Sequence, residues 1–124
     1  MIFAGSSNDP ARFYAALDVF VMSSATEQRP MALLEAMACG LPIISTDVGD
    51  VTDMLGSTSS PSIVAAGDVE AYANAMRTMA QNPMLRAELG AANRARCVAD
   101  HSGDRMMADY LALYESALAR RALN

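Results

Sequence analysis

Lysine is missing from this sequence. Its nine basic residues are all arginine, set against fourteen acids for a formal net charge of -5. That balance excludes a nucleic-acid partner, which requires a basic face; the missing lysine itself implies no mechanism. Cysteine is almost absent too. Cys39 and Cys97 lie far apart with no C-x-x-C spacing, which excludes a disulfide framework or a cysteine metal site and leaves two small apolar helix fillers. The one histidine, His101, falls in the break "HSGD", where a solvated loop side chain is the expectation and a catalyst is not. No apolar run approaches the ~20 residues that span a bilayer. The start "MIFAGSSNDPARF" has neither the basic region nor the long apolar core of a secretory signal. Cytoplasmic residence is therefore the expectation. There is no internal repeat and no low-complexity tract.

What is present is an ordinary globular composition, 52% hydrophobic and 19% charged over 124 residues, enough chain for one domain with a real core. "IFAG" (2 to 5) reads as a strand ending in a turn, and "SSND" offers a Ser or Asn cap for a helix that has Pro10 in its first turn and runs to about Leu17. "VFVM" (19 to 22) is a continuous apolar run, the mark of a strand covered on both faces. A helix follows from about Pro30 to Cys39, closed by Gly40, and then "PIIS" as the next strand. Residues 48 to 55, "VGDVTDML", predict a loop and a short helix. "GSTSSP" (56 to 61) is the one flexible stretch, before a last short strand in "SIVAA".

From Asp68 the pattern turns helical. Asp68 caps a helix with Val69, Tyr72, Ala73, Met76 and Met79 or Ala80 on one stripe. Asn82-Pro83 breaks it, and Leu85, Leu89 and Ala92 mark a second helix to about Ala99. Asp104 is the expected cap of a third, with Met107, Tyr110 or Leu111, Tyr114 and Leu118 as its apolar stripe. Alternating strands and helices with short connections are characteristic of parallel β-α-β units. The fold class is thus α/β, a partial doubly wound, Rossmann-like parallel sheet of about four strands with a helical C-terminal part. Doubly wound sheets usually carry about five or six strands, so the chain reads as part of a domain.

The stretch "TEQRPMALLEAMACGLPIISTD" (26 to 47) concentrates the chemistry. A helix starting at Pro30 leaves the amides of Met31, Ala32 and Leu33 without intrahelical acceptors, at the positive end of the helix dipole where a phosphate is welcome. Because the helix follows a strand of a parallel sheet, this end lies at the sheet's carboxyl edge, where open α/β proteins bind ligands. Arg29 can add a planar donor to a phosphate oxygen. Glu27, on the turn, can reach past the phosphate, and Glu35, within the helix, can accept two hydroxyls of a vicinal diol. Together they suit a nucleotide diphosphate joined to a sugar. Plainer readings stand beside this one: Glu35 as the single solvent-facing charge of an amphipathic helix, Glu27 as a cap three residues before Pro30, and Arg29 as simply exposed.

"DVFVMSSATEQRPMALLEAMACGLPIISTDVGDV" resembles the donor-site segment of the family 4 (group 1) glycosyltransferases of the GT-B fold, marked by two glutamates separated by seven residues, "EAMACGLP" and a "TDVG" loop. The resemblance extends from "IFAG" through "AAGDVEAYANAMRTMAQNPMLRAELGAANRAR". It implies retaining transfer of a sugar from a nucleotide-sugar donor to an acceptor, without a metal or a cofactor. Glu27 would contact hydroxyls of the transferred sugar. The amides at Met31 and Ala32 would face the diphosphate, with Gln28 and Arg29 beside them, and Glu35 would hold the ribose. It also implies that residues 1–124 form the C-terminal portion of a donor domain. The acceptor domain, the first strands of the donor domain and the basic pair that neutralises the diphosphate would lie outside the chain. The full-length enzyme would be cytoplasmic or peripheral at the inner membrane.

The sequence departs from the family where Gly-Phe-Gly or Gly-Phe-Pro is common: it has Gln28-Arg29-Pro30. Glutamine narrows backbone freedom at the turn and Pro30 supplies no N–H, so Arg29 is expected to compensate. A second function class remains open, a non-catalytic binding or assembly module or split subunit. Such a module would pair with a separately encoded half or self-associate as a homo-oligomer through an exposed strand edge. A third is an unrelated nucleotide-binding α/β domain.

Overall fold

A computed structural model describes residues 2, 5, 6 and 8–122, the side chains of 58, 60, 61 and 122 excepted. The strand expected at 2 to 5 rests on Phe3 and Ala4, outside the described residues. Asp9, not a Ser or Asn of the preceding turn, caps α1 (Pro10–Ala15) by accepting from the Arg12 amide at 3.3 Å. Three strands follow, β1 (Phe20–Met22), β2 (Ile43–Asp47) and β3 (Ile63–Ala65), all parallel in the order β1-β2-β3, with Phe20 opposite Ile43 and Ser45 opposite Ile63. Between β1 and β2 runs α2 (Met31–Ala38), and between β2 and β3 lie α3 (Val51–Leu55) and a 3-10 helix (Ser57–Ser62).

β2 is the strand buried on both faces. Ile43 packs on one side with Leu33, Met37, Val51 and Met54; Ile44 packs on the other with Met79 and Leu89. The expectation of two covered faces fails for β1, where Val21 is 47% exposed. Val21 sits opposite Ile44, on the face covered by α4 (Val69–Gln81), and α4 packs across β2; among the described residues β1 has a strand on one side only.

Gly40, at φ +73, ends α2, and its amide and that of Leu41 turn back to the carbonyls of Met37 and Ala36. Over this corner passes α5 (Pro83–Asp100), so close that a Cβ on Gly90 would lie 2.2 Å from the Gly40 carbonyl oxygen. Cys97 of α5 is buried as expected, but Cys39 is exposed at the end of α2 and fills nothing. The stretch expected to be flexible is instead tied down. Ser59 and Ser62 are buried, and Asn93 accepts from the Ser59 hydroxyl at 2.9 Å while donating to the Leu41 carbonyl at 2.9 Å.

Asp68 caps α4 through the Ala71 amide. Its buried contacts come from Tyr72, Ala75 and Met79, while Val69 and Met76 of the expected stripe face outward. Asn82 does more than break the chain: its side chain accepts from the Leu85 amide and caps α5. The last helix, α6 (Gly103–Ala122), is capped by Ser102, one turn boundary earlier than the expected Asp104. Its apolar stripe is present in sequence but uncovered, with Met107, Tyr110, Leu111, Tyr114 and Leu118 all more than half exposed.

Candidate functional site

The loops leaving β1 and β2 meet at the start of α2, and their contact follows from one residue without a side chain. Gly49 adopts φ +54 and presses on the turn after β1, where a Cβ would lie 2.5 Å from the Glu27 carbonyl oxygen and 2.3 Å from that of Gln28. The Asp50 amide then donates to the Gln28 carbonyl at 2.8 Å. Any other residue at 49 would force the loops apart and impose a strained backbone. On the inner side of the same turn, the Thr46 hydroxyl donates to the Ser24 carbonyl at 2.7 Å. The Ser24 hydroxyl in turn donates to Glu27 Oε1 at 2.9 Å. Glu27, half-buried, is thereby held on the loop and keeps one carboxylate oxygen outside that bond.

Pro30 stands at the cap position of α2 with extended backbone, φ -67 and ψ 118, and no side chain caps the helix. The Leu33 amide bends back to the Pro30 carbonyl at 3.2 Å. Met31 and Ala32, at the first two helical positions, are exposed, and their amides lack intrahelical acceptors by geometry. No acid occupies the first turn, so nothing on the helix offsets the positive end of its dipole.

Arg29 is exposed but engaged. Its Nη1 pairs with Asp50 Oδ2 at 3.3 Å, and its Nη2 lies 3.1 Å from Nδ1 of His101. The other ring nitrogen, Nε2, lies 3.3 Å from the Met54 carbonyl oxygen. The expectation of a solvated histidine is thus corrected: His101 is half-buried between α2's entry and α3's end because the α5–α6 corner folds onto them.

Glu35 lies on the outward side of α2, opposite the buried Leu33, Ala36 and Met37. It is not free in solvent. The phenol of Tyr14, buried in α1, donates to Glu35 Oε2 at 2.9 Å. Burial first, then that hydrogen bond and the carboxylate's charge, push the Tyr14 hydroxyl up from 10.0 to about 12, so it remains a donor at neutral pH. Glu27 and Glu35 share no partner: the first is held by the β1 loop, the second by α1.

The structure therefore gathers Glu27, Gln28, Arg29, Met31 and Ala32 at one helix start, with Glu35 farther along the same helix. A cleft of about 840 Å3 opens beside it, lined by Arg29, Met31, Leu34, His101, Met106 and Tyr110 among others. Among the described residues no three of His, Cys, Asp and Glu converge as metal ligands. Sequence reasoning missed Tyr14, Ser24, Asp50 and His101 as neighbours of the site. Ser24, three residues before Glu27, had a local signal; Tyr14 and His101, from distant elements, had none.

Comparison with known proteins places this geometry in context. The profile of the family described as glycosyl transferases group 1 matches residues 1–82. The lipopolysaccharide core biosynthesis glycosyltransferase LpsE of Rhizobium meliloti is 32% identical over 114 residues, covering 92% of this chain and 34% of that protein. The D-inositol 3-phosphate glycosyltransferase of Stackebrandtia nassauensis is 30% identical, covering 96% of this chain and 27% of that protein. Among solved structures, the sucrose-phosphate synthase of Thermosynechococcus elongatus superposes with a TM-score of 0.79 at 29% identity, covering 87% of this chain and 27% of that one. The chain spans about a third of the length of such curated relatives.

Proposed function

This chain belongs to the group 1 glycosyl transferases, and on that premise we propose that it is the donor-binding portion of a retaining enzyme that moves a sugar from a nucleotide-diphosphate sugar to an acceptor. In this reading the uncapped start of α2 receives the diphosphate. The Met31 and Ala32 amides and the helix dipole meet charge that grows on the leaving phosphate as its bond to the anomeric carbon breaks. Arg29 and the turn at Gln28 flank it. Glu27, fixed by Ser24, accepts hydroxyls of the transferred sugar, and Glu35, oriented by Tyr14, accepts those of the ribose. No metal or cofactor enters this scheme. The acceptor wall of the cleft and the donor domain's first strands would come from outside residues 1–124, so the chain alone is expected to turn over almost nothing. Its setting would be the cytoplasm or the inner face of a membrane; among the described residues no helix is long and apolar enough to cross one.

The observation that carries the proposal is the helix start itself: exposed first-turn amides with no capping side chain and no acid, at the carboxyl edge of parallel strands, bracketed by two carboxylates that hydroxyl donors hold in place. Calorimetric titration with uridine, adenosine and guanosine diphosphates tests it. Glu35→Ala should weaken the preferred nucleotide about tenfold or more, the cost of a charge-assisted hydrogen bond. Equal affinity of wild type and variant for every nucleotide would refute the assignment.

A second reading is favoured by surface alone. The accessible area is 8556 Å2, where mass scaling gives about 6,400 Å2 for a compact monomer of 13.1 kDa. The open edge of β1 is a template for strand addition, which would make the chain an assembly module. Sedimentation at high concentration should then show self-association; a clean monomer would remove this reading.

A further inference from the structure

Arg29 bonded to Asp50 alone would be an exposed ion pair, with side chains 49% and 51% exposed, worth about 0–1 kcal/mol and too weak to hold a long side chain in one orientation. The ring of His101 supplies the second hold, and its neighbours dictate its form. The Met54 carbonyl oxygen can only accept, so the nitrogen facing it, Nε2, carries the hydrogen. A guanidinium can only donate, so the nitrogen facing Arg29, Nδ1, must present its lone pair. Both contacts select the same neutral tautomer. Met54's carbonyl is itself fixed, accepting also from Arg96 Nε at 2.9 Å, and Arg96 reaches Asp100, the residue before His101, at 3.6 Å. The ring is thus wedged at a corner where α3 ends, α5 ends and α6 begins.

We infer that His101 is a positioning residue for the diphosphate site, holding Arg29 through its Nε2–H tautomer so that the guanidinium is fixed beside the first amides of α2. The inference rests on the donor-site reading above. A guanidinium carries five N–H bonds; one goes to Asp50 and one to His101, and the others remain for phosphate oxygens. Arg29 stands in the turn that enters α2, and the residue that aims it arrives 72 positions later, so the helical C-terminal part acts on the site without touching the ligand. A protonated ring, a donor at both nitrogens, would lose Arg29.

Because the sequence has one histidine, the imidazole nitrogens of the full chain give a single set of NMR signals that needs no assignment. They should show hydrogen on Nε2, and titration with inorganic pyrophosphate should shift Nδ1. Two variants divide the ring's roles. His101→Asn keeps an acceptor near the Nδ1 position and should bind pyrophosphate within about twofold of wild type. His101→Gln keeps a donor toward Met54 but loses the acceptor, and should weaken binding about tenfold, approaching Arg29→Ala. A purely structural role would instead make His101→Gln the milder change in thermal stability and leave both affinities unchanged. Hydrogen on Nδ1, which is read on the wild type and needs no variant to fold, overturns the inference. So does His101→Gln binding as well as wild type while Arg29→Ala weakens, a result that spares the donor site. Failure of the wild type to bind pyrophosphate or any nucleoside diphosphate would overturn the donor site and this inference with it.

Discussion

Replacing Tyr14 by Phe removes one oxygen atom and asks whether α1 orients Glu35. The lost bond is 2.9 Å long, from a buried phenol to a carboxylate on the outward side of α2. Hydrogen bonds to charged groups contribute about 1.5–3 kcal/mol net, and solvent around Glu35 reduces that to about 1 kcal/mol. For a domain of this size such a loss lowers Tm by roughly 3–6 °C. The pH dependence is more discriminating. The Tyr14 hydroxyl is raised from 10.0 to about 12, by burial first and then by Glu35. The folded state therefore holds this proton more tightly than the unfolded chain does. The corresponding stability is complete below about pH 10 and is lost as pH rises through about 12, with an upper limit of about 2–3 kcal/mol. The sequence has no lysine and arginine titrates above about 12, so only tyrosines and two thiols lose protons in that window. Tyr72, raised by burial, contributes equally to both proteins and cancels in the difference. Urea unfolding of wild type and Tyr14→Phe across about pH 8 to 12 should give curves that lie apart at the lower end and converge at the upper. Parallel curves would refute the proposed grip on Glu35.

Gly49→Ala places a methyl group against two backbone carbonyls at positive φ and should cost about 2–3 kcal/mol in urea unfolding, with a parallel loss of nucleoside-diphosphate affinity; near-wild-type behaviour in both would show that the loops are not in contact. Asn93→Ala strips partners from the buried Leu41 carbonyl and Ser59 hydroxyl and should cost about 2–4 kcal/mol, measured the same way, with faster proteolysis at 56–62 if the 3-10 helix depends on it.

The elements that local chemistry controls were legible from residue types alone. Asp68 caps α4, Pro10 sits in the first turn of α1, Gly40 ends α2, and the apolar run at 43–44 becomes a strand buried on both faces. Each depends on a capping bond a few residues long, a restricted φ or a short-period pattern. The same patterning misread β1 and α6. Apolar residues at 19–22 and along 107–118 have strand and helix spacing, but whether a face is covered depends on a neighbour that spacing does not name. The serine-rich stretch after Gly56 looked flexible because its order comes from Asn93, 34 positions beyond Ser59.

For the candidate site, the sequence by itself determined which residues stand at the start of α2 and that their amides lie bare, because helix geometry and a proline compel both. Only the tertiary structure decided what each side chain touches. Tyr14 reaches Glu35 across 21 positions, and His101 reaches Arg29 across 72. Gly49 presses on the turn after Glu27 from the next loop of the sheet. Such contacts arise when packed helices and strands bring distant segments within bonding distance, and the residue types at their two ends carry no local mark of it.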